Sequence, residues 1–192
     1  SPGTGRSPPS QAPYGSIDEL AAYAQDNDVV LGHFGAMLTP TQVTFALANA
    51  KDFSFAFDAA FDALDCNTLA SGDADVINTT LQLILPCLDD VKVLASIGSE
   101  RIPLTPDAPT VGELEPDLDL ALWNGLFVKA DVPQEARDKI AAVAQKVIAS
   151  DAARRLAEQT GALVYWQDAD ASAAQIEADQ VARGNIAKLL DE

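Results

Sequence analysis

The sequence predicts an α/β fold with a mostly parallel sheet flanked by helices. Between positions 29 and 97, short apolar runs alternate with helical segments that carry cap and turn residues at their ends. A helix that connects two successive strands makes those strands parallel and covers a face of the sheet. The composition agrees with a globular protein, because 48% of the residues are hydrophobic and 21% are charged.

The first predicted helix begins after Ser16, because Glu19 follows three residues later as in a capping box. Beyond it, strand and helix segments follow each other along the chain. Strands are predicted at residues 29–31, 53–57, 74–78 and 91–97, and helices at residues 40–50, 59–70 and 81–88. This order indicates repeated strand–helix–strand units.

The C-terminal part is predicted to be mainly helical. It begins with a long apolar strand at residues 118–128 that carries Trp123, which we interpret as a core-packing residue. Further helices are predicted at residues 133–149, 151–159 and 172–190, with a short strand at residues 163–166. Gly161 is expected to end the second of these helices.

Changes in composition divide the chain into three parts. Residues 1–13 contain four of the eleven prolines, which predicts a linker or an added remnant. Residues 14–117 carry the alternating strands and helices of an α/β unit. Residues 118–192 carry a long apolar strand and the C-terminal helices.

The charge of the chain excludes several partners. Twelve basic residues against 29 acidic ones give a formal net charge of −17, which opposes binding to nucleic acid or to anionic lipid. No apolar run reaches the roughly 18 residues of a membrane span, so direct membrane insertion is not expected. A small anion is still compatible, because backbone N–H groups at a helix N-terminus bind anions without basic side chains.

The two cysteines, Cys66 and Cys87, leave two interpretations open. They form either a disulfide, as in an exported protein, or two small buried thiols on neighbouring helices. Their spacing matches no zinc motif, and the aspartate runs lack calcium-loop spacing. No metal site and no cofactor are expected.

Enzymatic signatures are absent from the sequence. It contains no nucleophile elbow, no P-loop and no GxGxxG after a strand. His33 is the single histidine, which supports neither a hydrolytic triad nor a metal cluster, and a surface or pocket-wall position is expected for it. The sequence predicts a binding protein without catalytic residues.

Several motifs resemble a known family. Residues 105–113 read TPDAPTVGE, which is similar to the LPDVPTVAE stretch of the tripartite tricarboxylate transporter receptors. The run WNGLF at residues 123–127 resembles their W-x-G-L strand, and LASGDADV at residues 69–76 resembles their LLAGQVDV turn. The likeness extends from Pro13 to Glu192, with the motifs in the family's order. The opening strand and P-G-G loop of the family's first lobe have no counterpart in the sequence.

The resemblance implies a fold and a function. It implies a periplasmic-binding-protein-like fold in which two lobes close around a small carboxylate. In that fold, residues 14–117 form the α/β ligand-binding lobe, and residues 118–192 supply a crossover strand and C-terminal helices to the other, incomplete lobe. The expected protein is a periplasmic receptor that delivers its ligand to the membrane permease subunits of the transporter. The alternative is a receptor-derived sensor or interaction module without an intact ligand cleft.

The loop that precedes the helix at residues 40–50 is the first candidate for ligand binding. The resemblance places the family's ligand loop here and implies binding roles for Gly35, Ala36, Thr39 and Thr41. Such a loop can direct N–H groups and a hydroxyl at a carboxylate, at the carboxyl end of a strand. Alternatively, Thr39 is simply the N-cap of the helix.

Two further strand ends supply candidates. Asn78 and Thr79 align with a polar loop of the family and can reach ligand oxygens, although they can equally cap a helix. Ser96 and Gly98 end the next predicted strand and add possible donors, with an ordinary turn as the alternative. Asp58 stands where relatives have a basic residue, so an anion close to its side chain would be disfavoured.

Overall fold

The protein is described from a computed structural model, which covers residues 12–191. Most of the N-terminal linker predicted for residues 1–13 therefore lies outside the described residues. The strands are β1 (Val30–His33), β2 (Phe57–Ala60) and β3 (Val76–Ile77). The α-helices are α1 (Ile17–Ala24), α2 (Thr39–Ala50), α3 (Cys66–Ser71), α4 (Leu81–Ile84), α5 (Val111–Leu114), α6 (Gln134–Ile148), α7 (Asp151–Thr160) and α8 (Ala169–Asp191). Two 3₁₀ segments occupy Leu85–Asp90 and Pro116–Leu118.

The described strands form one three-stranded sheet with the order β2-β1-β3. Both pairings are parallel, with Leu31 opposite Asp58 on one side and Val76 on the other. The predicted α/β class, with a parallel sheet flanked by helices, is confirmed. The bounds of the second strand were predicted four residues too early, because Phe53 packs into the core before the strand begins.

Helices cover both faces of the sheet. On one face, the His33 ring lies edge-on to Phe45 of α2, with ring centroids 6.3 Å apart. On the other face, a Cβ atom at Gly32 would lie 3.0 Å from the Leu64 side chain and 3.1 Å from Ala74. Glycine at position 32 thus allows the chain around α3 to approach β1 closely.

Helix α2 lies between the two hydrophobic clusters. Its Ala48 joins Leu20 and Ala21 of α1 and the start of β1 in one cluster. Its opposite side joins the other cluster, which consists of Val43, Ala46, Leu47, Val111, Leu118, Leu120, Ala182 and Ile186. The C-terminal part of α8 is therefore packed against α2, far from it in sequence.

The cap residues act as predicted at several helix ends. The Ser16 hydroxyl accepts a hydrogen bond from the Glu19 N–H, and the Glu19 carboxylate accepts one from the Gly15 N–H. Gly161 ends α7 with φ of 70°, a backbone conformation that glycine adopts without steric cost. These local signals predicted the helix termini correctly.

Three predicted strands are not strands in the structure. Residues 91–97 form a single bridge, Ser96 to Thr110. In place of the crossover strand predicted for residues 118–128, Leu118 is the last residue of a 3₁₀ segment and residues 119–128 have no regular secondary structure. Residues 163–166 also have none. A strand needs a hydrogen-bonded neighbour, and no strand among residues 12–191 pairs with these segments.

The open question about the cysteines is answered by the structure. Cys66 in α3 and Cys87 in the following 3₁₀ segment form a disulfide. The helix predicted for residues 59–70 is much shorter, because Asp65 caps α3 and residues 61–64 are loop. The disulfide holds this short helix to the segment that follows β3.

The segment from Leu122 to Trp166 exposes many apolar side chains. Helices α6 and α7, both wholly within the described residues, contain no buried residue. The exposed large apolar residues of the segment are Leu122, Leu126, Phe127, Val128, Ile140, Val143, Val147, Leu156, Leu163, Val164, Tyr165 and Trp166. We call this set the apolar surface. Trp123, predicted to pack in a core, is half-buried and donates a hydrogen bond to Asp179 at 2.7 Å.

Across residues 12–191, none of the helices combines the length and the apolar character that a membrane span requires.

Candidate ligand site at the carboxyl edge of the sheet

The strand order places a crevice between β1 and β3. From β1 the chain passes through α2 to β2 on one side, and then through α3 to β3 on the other side of β1. At such a reversal of strand order, the loops after the two central strands diverge and leave a crevice at the carboxyl edge. The loops concerned contain the predicted site residues 35–41 and 78–79.

The loop after β1 leads directly into α2. The Leu38 N–H donates to the Gly35 carbonyl at 3.1 Å, and the Gln42 side chain donates to the Ala36 carbonyl at 2.6 Å. These bonds close the turn and fix the start of the helix. Gly35 is half-buried and Ala36 is exposed, so both predicted residues lie at the surface of this turn.

Helix α2 begins without a side-chain cap. Leu38 occupies the N-cap position in an extended conformation, and no side-chain hydrogen bond caps the helix within the described residues. Thr39 is therefore the first helical residue, and the interpretation of Thr39 as the N-cap is wrong. Thr41 is buried beneath the loop. The positive end of the α2 dipole is left open towards the crevice.

Asn78 joins the loop after β3 to the start of α2. Its side-chain amide donates to the Thr44 hydroxyl at 2.7 Å and to the Pro40 carbonyl at 3.3 Å. Its backbone N–H donates to the Gly32 carbonyl at 2.9 Å, which extends the β1–β3 pairing. The structure thus brings Asn78 and the loop at residues 35–41 together, with the Asn78 amide already bonded to the helix.

Thr79 is also engaged within the fold. Its hydroxyl donates to the Leu64 carbonyl at 2.7 Å, which ties the end of β3 to the loop before α3. The N-cap of α4 is Thr80, without a side-chain cap bond, so neither Asn78 nor Thr79 caps that helix. Both side chains hold the edge of the crevice in place.

Ser96 and Gly98 lie on the next segment of the chain. The Ser96 backbone bonds to Pro109 and Val111, and its buried hydroxyl finds no partner among residues 12–191. Gly98 is half-buried. No hydrogen bond in the described structure joins these two residues to Asn78 or to the loop at residues 35–41.

An apolar cavity of about 170 Å³ separates β3 from the segment at residues 91–97. Asn78, Thr79 and Thr44 line it on one side, and Ala95 and Ile97 line it on the other. Ser96 is not among the lining residues, so its hydroxyl and the cavity are separate features. Asn78 and the end of the 91–97 segment thus face each other across the cavity.

His33 and Asp58 form a pair beside the crevice that sequence reasoning missed. The His33 side chain is 2% exposed, so it does not lie at the surface, and its Nε2 lies 2.8 Å from Asp58 Oδ2. The β1–β2 register places Leu31 opposite Asp58 and so puts His33 and Asp58 on one face of the sheet. The register between β1 and β2 cannot be deduced from a single sequence, so the contact between His33 and Asp58 could not be predicted. The Asp58 carboxylate is thus held by His33, although its side chain is 47% exposed.

Comparison with known proteins identifies the family. The family model described as the tripartite tricarboxylate transporter family receptor, TctC, matches residues 4–190. The chain belongs to this family. TctC proteins are receptors and not enzymes, which agrees with the absence of enzymatic signatures in the sequence.

Three solved structures share the fold of this TctC chain. A TctC solute-binding protein from Polaromonas, solved without ligand, has a TM-score of 0.74 at 21% identity, over 93% of this chain and 64% of that chain. The periplasmic binding protein BugD has a TM-score of 0.67 at 22% identity, over 95% and 63%. MatC from Rhodopseudomonas palustris with bound malate has a TM-score of 0.65 at 22% identity, over 95% and 63%.

The TctC chain spans just under two thirds of the length of these solved relatives. No curated protein matches it significantly. At 21–22% identity, the structural likeness establishes the fold.

Residues 105–113, which resemble the TctC family, lead into α5 and are held there by hydrogen bonds. Thr110 and Glu113 form a capping box, in which the Glu113 carboxylate accepts from the Thr110 N–H at 2.7 Å. Arg101 donates to the same carboxylate through Nε and Nη2, and to the Pro106 carbonyl through Nη1. The hydrogen bonds from Arg101, followed by that from Thr110, lower the pKa of Glu113 to about 2. This motif is structural and shapes the connection after the 91–97 segment.

Proposed function

We propose that this TctC-family chain acts as an extracytoplasmic receptor that captures a small carboxylate and delivers it to a tripartite tricarboxylate transporter. The proposal rests on the family match over residues 4–190 together with the open N-terminus of α2 at the crevice. The bound malate in MatC is a carboxylate of this kind. Lobe closure around the ligand and release to the permease subunits would complete the transport step.

The ligand contacts follow from the geometry of the crevice. The N–H groups at the start of α2 and the Thr39 hydroxyl supply donors for a carboxylate. Gly35 and Ala36 form the surface of the turn that the ligand approaches, and Thr41 supports the turn from below. Asn78, Thr79, Ser96 and Gly98 are proposed to shape the rim of the site rather than to carry its charge.

A periplasmic location is part of the proposal. The disulfide between Cys66 and Cys87 supports it, because disulfides persist in oxidising compartments such as the bacterial periplasm. The net charge of −17 supports a partner that is neither nucleic acid nor an anionic lipid surface.

Substitution of the N-cap tests the site directly. Leu38→Asp places a carboxylate on the first-turn N–H groups, which is expected to stabilise α2 by roughly 1 kcal/mol and to block an external carboxylate. We expect calorimetric titration of the full chain with malate, citrate, aromatic acids and amino acids to give heat with at least one of them. The Leu38→Asp variant should give none, although its unfolding temperature is equal or higher.

Two controls accompany this experiment. Leu38→Ala removes the apolar side chain without adding a cap and should still bind ligand, more weakly than the unchanged chain but more tightly than Leu38→Asp. Leu83→Asp adds the same charge on another exposed leucine, in α4, and should also keep it. Heat with no carboxylate, or unchanged binding by Leu38→Asp, would contradict the proposed site.

A second candidate function is a receptor-derived sensor or interaction module without a ligand cleft. One observation favours it: the side chains of the apolar surface are exposed and lack packing partners among the described residues. This candidate predicts no carboxylate binding under the titration above and saturable binding to another polypeptide instead.

A further inference from the structure

We infer that the ligand of the crevice is a monocarboxylate with an apolar body, and not a small di- or tricarboxylate. This inference rests on the proposed function and specifies its substrate class. Three features of the crevice lead to it: the number of free donors, the lack of Lys and Arg on the loop at residues 35–41, and the exposed apolar side chains on that loop.

The start of α2 offers donors for one carboxylate. The Leu38 N–H is bonded to Gly35, the Gln42 N–H is bonded to Leu38, and Pro40 has no N–H. Thr39 and Thr41 remain, and neither N–H has a hydrogen-bond partner among residues 12–191. Thr41 is 1% exposed, and a buried N–H without an acceptor is rare in native proteins. Thr39 is half-buried, so its N–H and its hydroxyl can reach an external ligand, and these two donors match the two oxygens of one carboxylate.

The surroundings of the crevice oppose further negative charge. No Lys or Arg occurs between Lys51 and Lys92, a stretch that contains β2, β3 and both adjoining loops. Lys51 lies at the far end of α2 and pairs with Asp18. Lys92 lies beside Gly15 and lines the cavity that Asn78 and Thr79 also line. The loop at residues 35–41 and strand β2 contain no Lys or Arg, whereas Asp58 and Asp62 lie in and after β2. A second ligand carboxylate at this loop would therefore find no cation on the loop or on β2.

The loop itself presents an apolar surface to the ligand. Phe34, Met37 and Leu38 are 39%, 86% and 50% exposed. All three lie within the turn that precedes the free N–H groups, so a ligand bound there contacts them. Burial of these side chains favours a ligand with an aromatic or branched aliphatic body, since each Å² of apolar surface removed from water contributes about 25 cal/mol.

Calorimetric titration of the full chain with phenylacetate, malate and phenylacetamide tests the inference. We expect phenylacetate to bind at least about ten-fold more tightly than malate, which lacks the apolar body and adds a charge. Phenylacetamide, which lacks the charge, should also bind about ten-fold more weakly. The double variant Phe34→Ala/Met37→Ala should lose about ten-fold in phenylacetate affinity and keep its affinity for malate. Val143→Ala, at an exposed residue of α6, is the matched control and should change neither affinity.

The outcomes separate the inference from the function on which it rests. If malate binds as tightly as phenylacetate or more tightly, the inference is wrong and the proposed receptor function stands. If phenylacetamide equals phenylacetate, or the double variant binds phenylacetate as well as the unchanged chain does, the inference is also wrong. If no carboxylate binds, both the inference and the proposed function are overturned.

Discussion

The paired side chains of His33 and Asp58 show how one residue can depend on another at the edge of the sheet. The His33 Nδ1 is buried without a hydrogen-bond partner in the described structure, so the contact of Nε2 with Asp58 is the bond that satisfies the ring. A buried polar group that loses its partner costs about 1–3 kcal/mol. Asp58 consequently stabilises the fold rather than the ligand.

We predict that Asp58→Ala lowers the free energy of unfolding by about 1–3 kcal/mol, because it leaves His33 Nε2 without its acceptor. Asp58→Asn keeps an acceptor oxygen and should recover part of the loss. Urea unfolding followed by circular dichroism measures both changes. Asp62→Ala, which removes a nearby exposed acid, is the control, and an equal effect of Asp58→Ala and Asp62→Ala would argue against the pair.

Glu113 leads to a prediction about pH. Its pKa is lowered from 4.5 to about 2 in the folded chain, mainly by its hydrogen bonds with Arg101 and then by that with Thr110. A lowered carboxyl pKa stabilises the fold above the unfolded pKa, and this contribution is lost as the pH falls through the folded pKa. The stabilisation is thus complete above pH 4.5 and disappears towards pH 2.

The variant Glu113→Gln should accordingly be less stable than the unchanged chain at pH 6, and the difference should shrink between pH 4.5 and pH 2. Chemical unfolding at a series of pH values measures this difference. Glu135→Gln removes an exposed acid that pairs within α6 and should show little pH-dependent effect. A difference in stability that stayed constant with pH would rule out the hydrogen bonds of Glu113 with Arg101 and Thr110 as its source.

Residue-level signals in the sequence predicted caps well and long-range partners poorly. Ser16 and Gly161 carry their structural role within a few neighbours, so pattern was sufficient, whereas the capping box of Thr110 and Glu113 was not predicted. The His33–Asp58 pair depends on strand register, which a single sequence does not contain. Asn78 was expected at the crevice, but its bond to Thr44 required knowledge of how β3 lies beside α2.

At the scale of elements, the disulfide compensates for the shortness of α3 and of the segment after β3. Helix α3 has six residues and α4 has four, and helices of this length are not stable by themselves. Cys66 and Cys87 are 21 positions apart, so their bond closes a loop that contains α3, β3 and α4. Closing a loop of this size stabilises a fold by roughly 3 kcal/mol.

We predict that reduction of the disulfide lowers the free energy of unfolding by roughly 3 kcal/mol and increases the flexibility of residues 66–87. Hydrogen exchange with and without a reducing agent locates the change. The double variant Cys66→Ala/Cys87→Ala should match the reduced chain and should not respond to the reductant. Equal protection of this segment in the oxidised and reduced chains would contradict the prediction.

The strand predictions failed where an element depends on a neighbour outside its own sequence. Apolar runs at residues 91–97 and 118–128 have the composition of strands, yet the described structure gives them no ladder. Helices α6 to α8 were predicted nearly correctly, because a helix satisfies its backbone within its own segment. The alternating pattern predicted the class, whereas the extent of the sheet could not be deduced from it.

At the scale of the whole molecule, the apolar surface differs from the rest of the chain in exposure and in charge. Six of the twelve basic residues lie within residues 129–160, against five acidic ones, so this part is nearly neutral in a strongly acidic chain. A nearly neutral segment with exposed apolar side chains favours association with another surface. The division into lobes at residue 118 remains a prediction, and α8 packs across it onto α2.

We predict concentration-dependent association of the chain through the apolar surface. Replacement of Val143 and Val147 by lysine should shift the equilibrium towards the monomer and reduce binding of a hydrophobic dye, because both side chains are exposed on α6. Sedimentation equilibrium measures the shift. The control is the double variant Ala22→Lys/Gln25→Lys, which changes two exposed residues at α1. If this control and the variant Val143→Lys/Val147→Lys associate equally, the apolar surface is not the site of association.

The contact between α2 and α8 has a consequence for the timing of folding during synthesis. Asn49 donates to the Leu189 carbonyl at 2.7 Å, and Ala182 and Ile186 complete the cluster around Val43 and Leu47. The helix that opens onto the crevice is thus covered by residues made about 140 positions later. A chain still emerging from the ribosome must wait for residues 182–190 before this face of α2 can close, and chaperones can bind the uncovered helix until then.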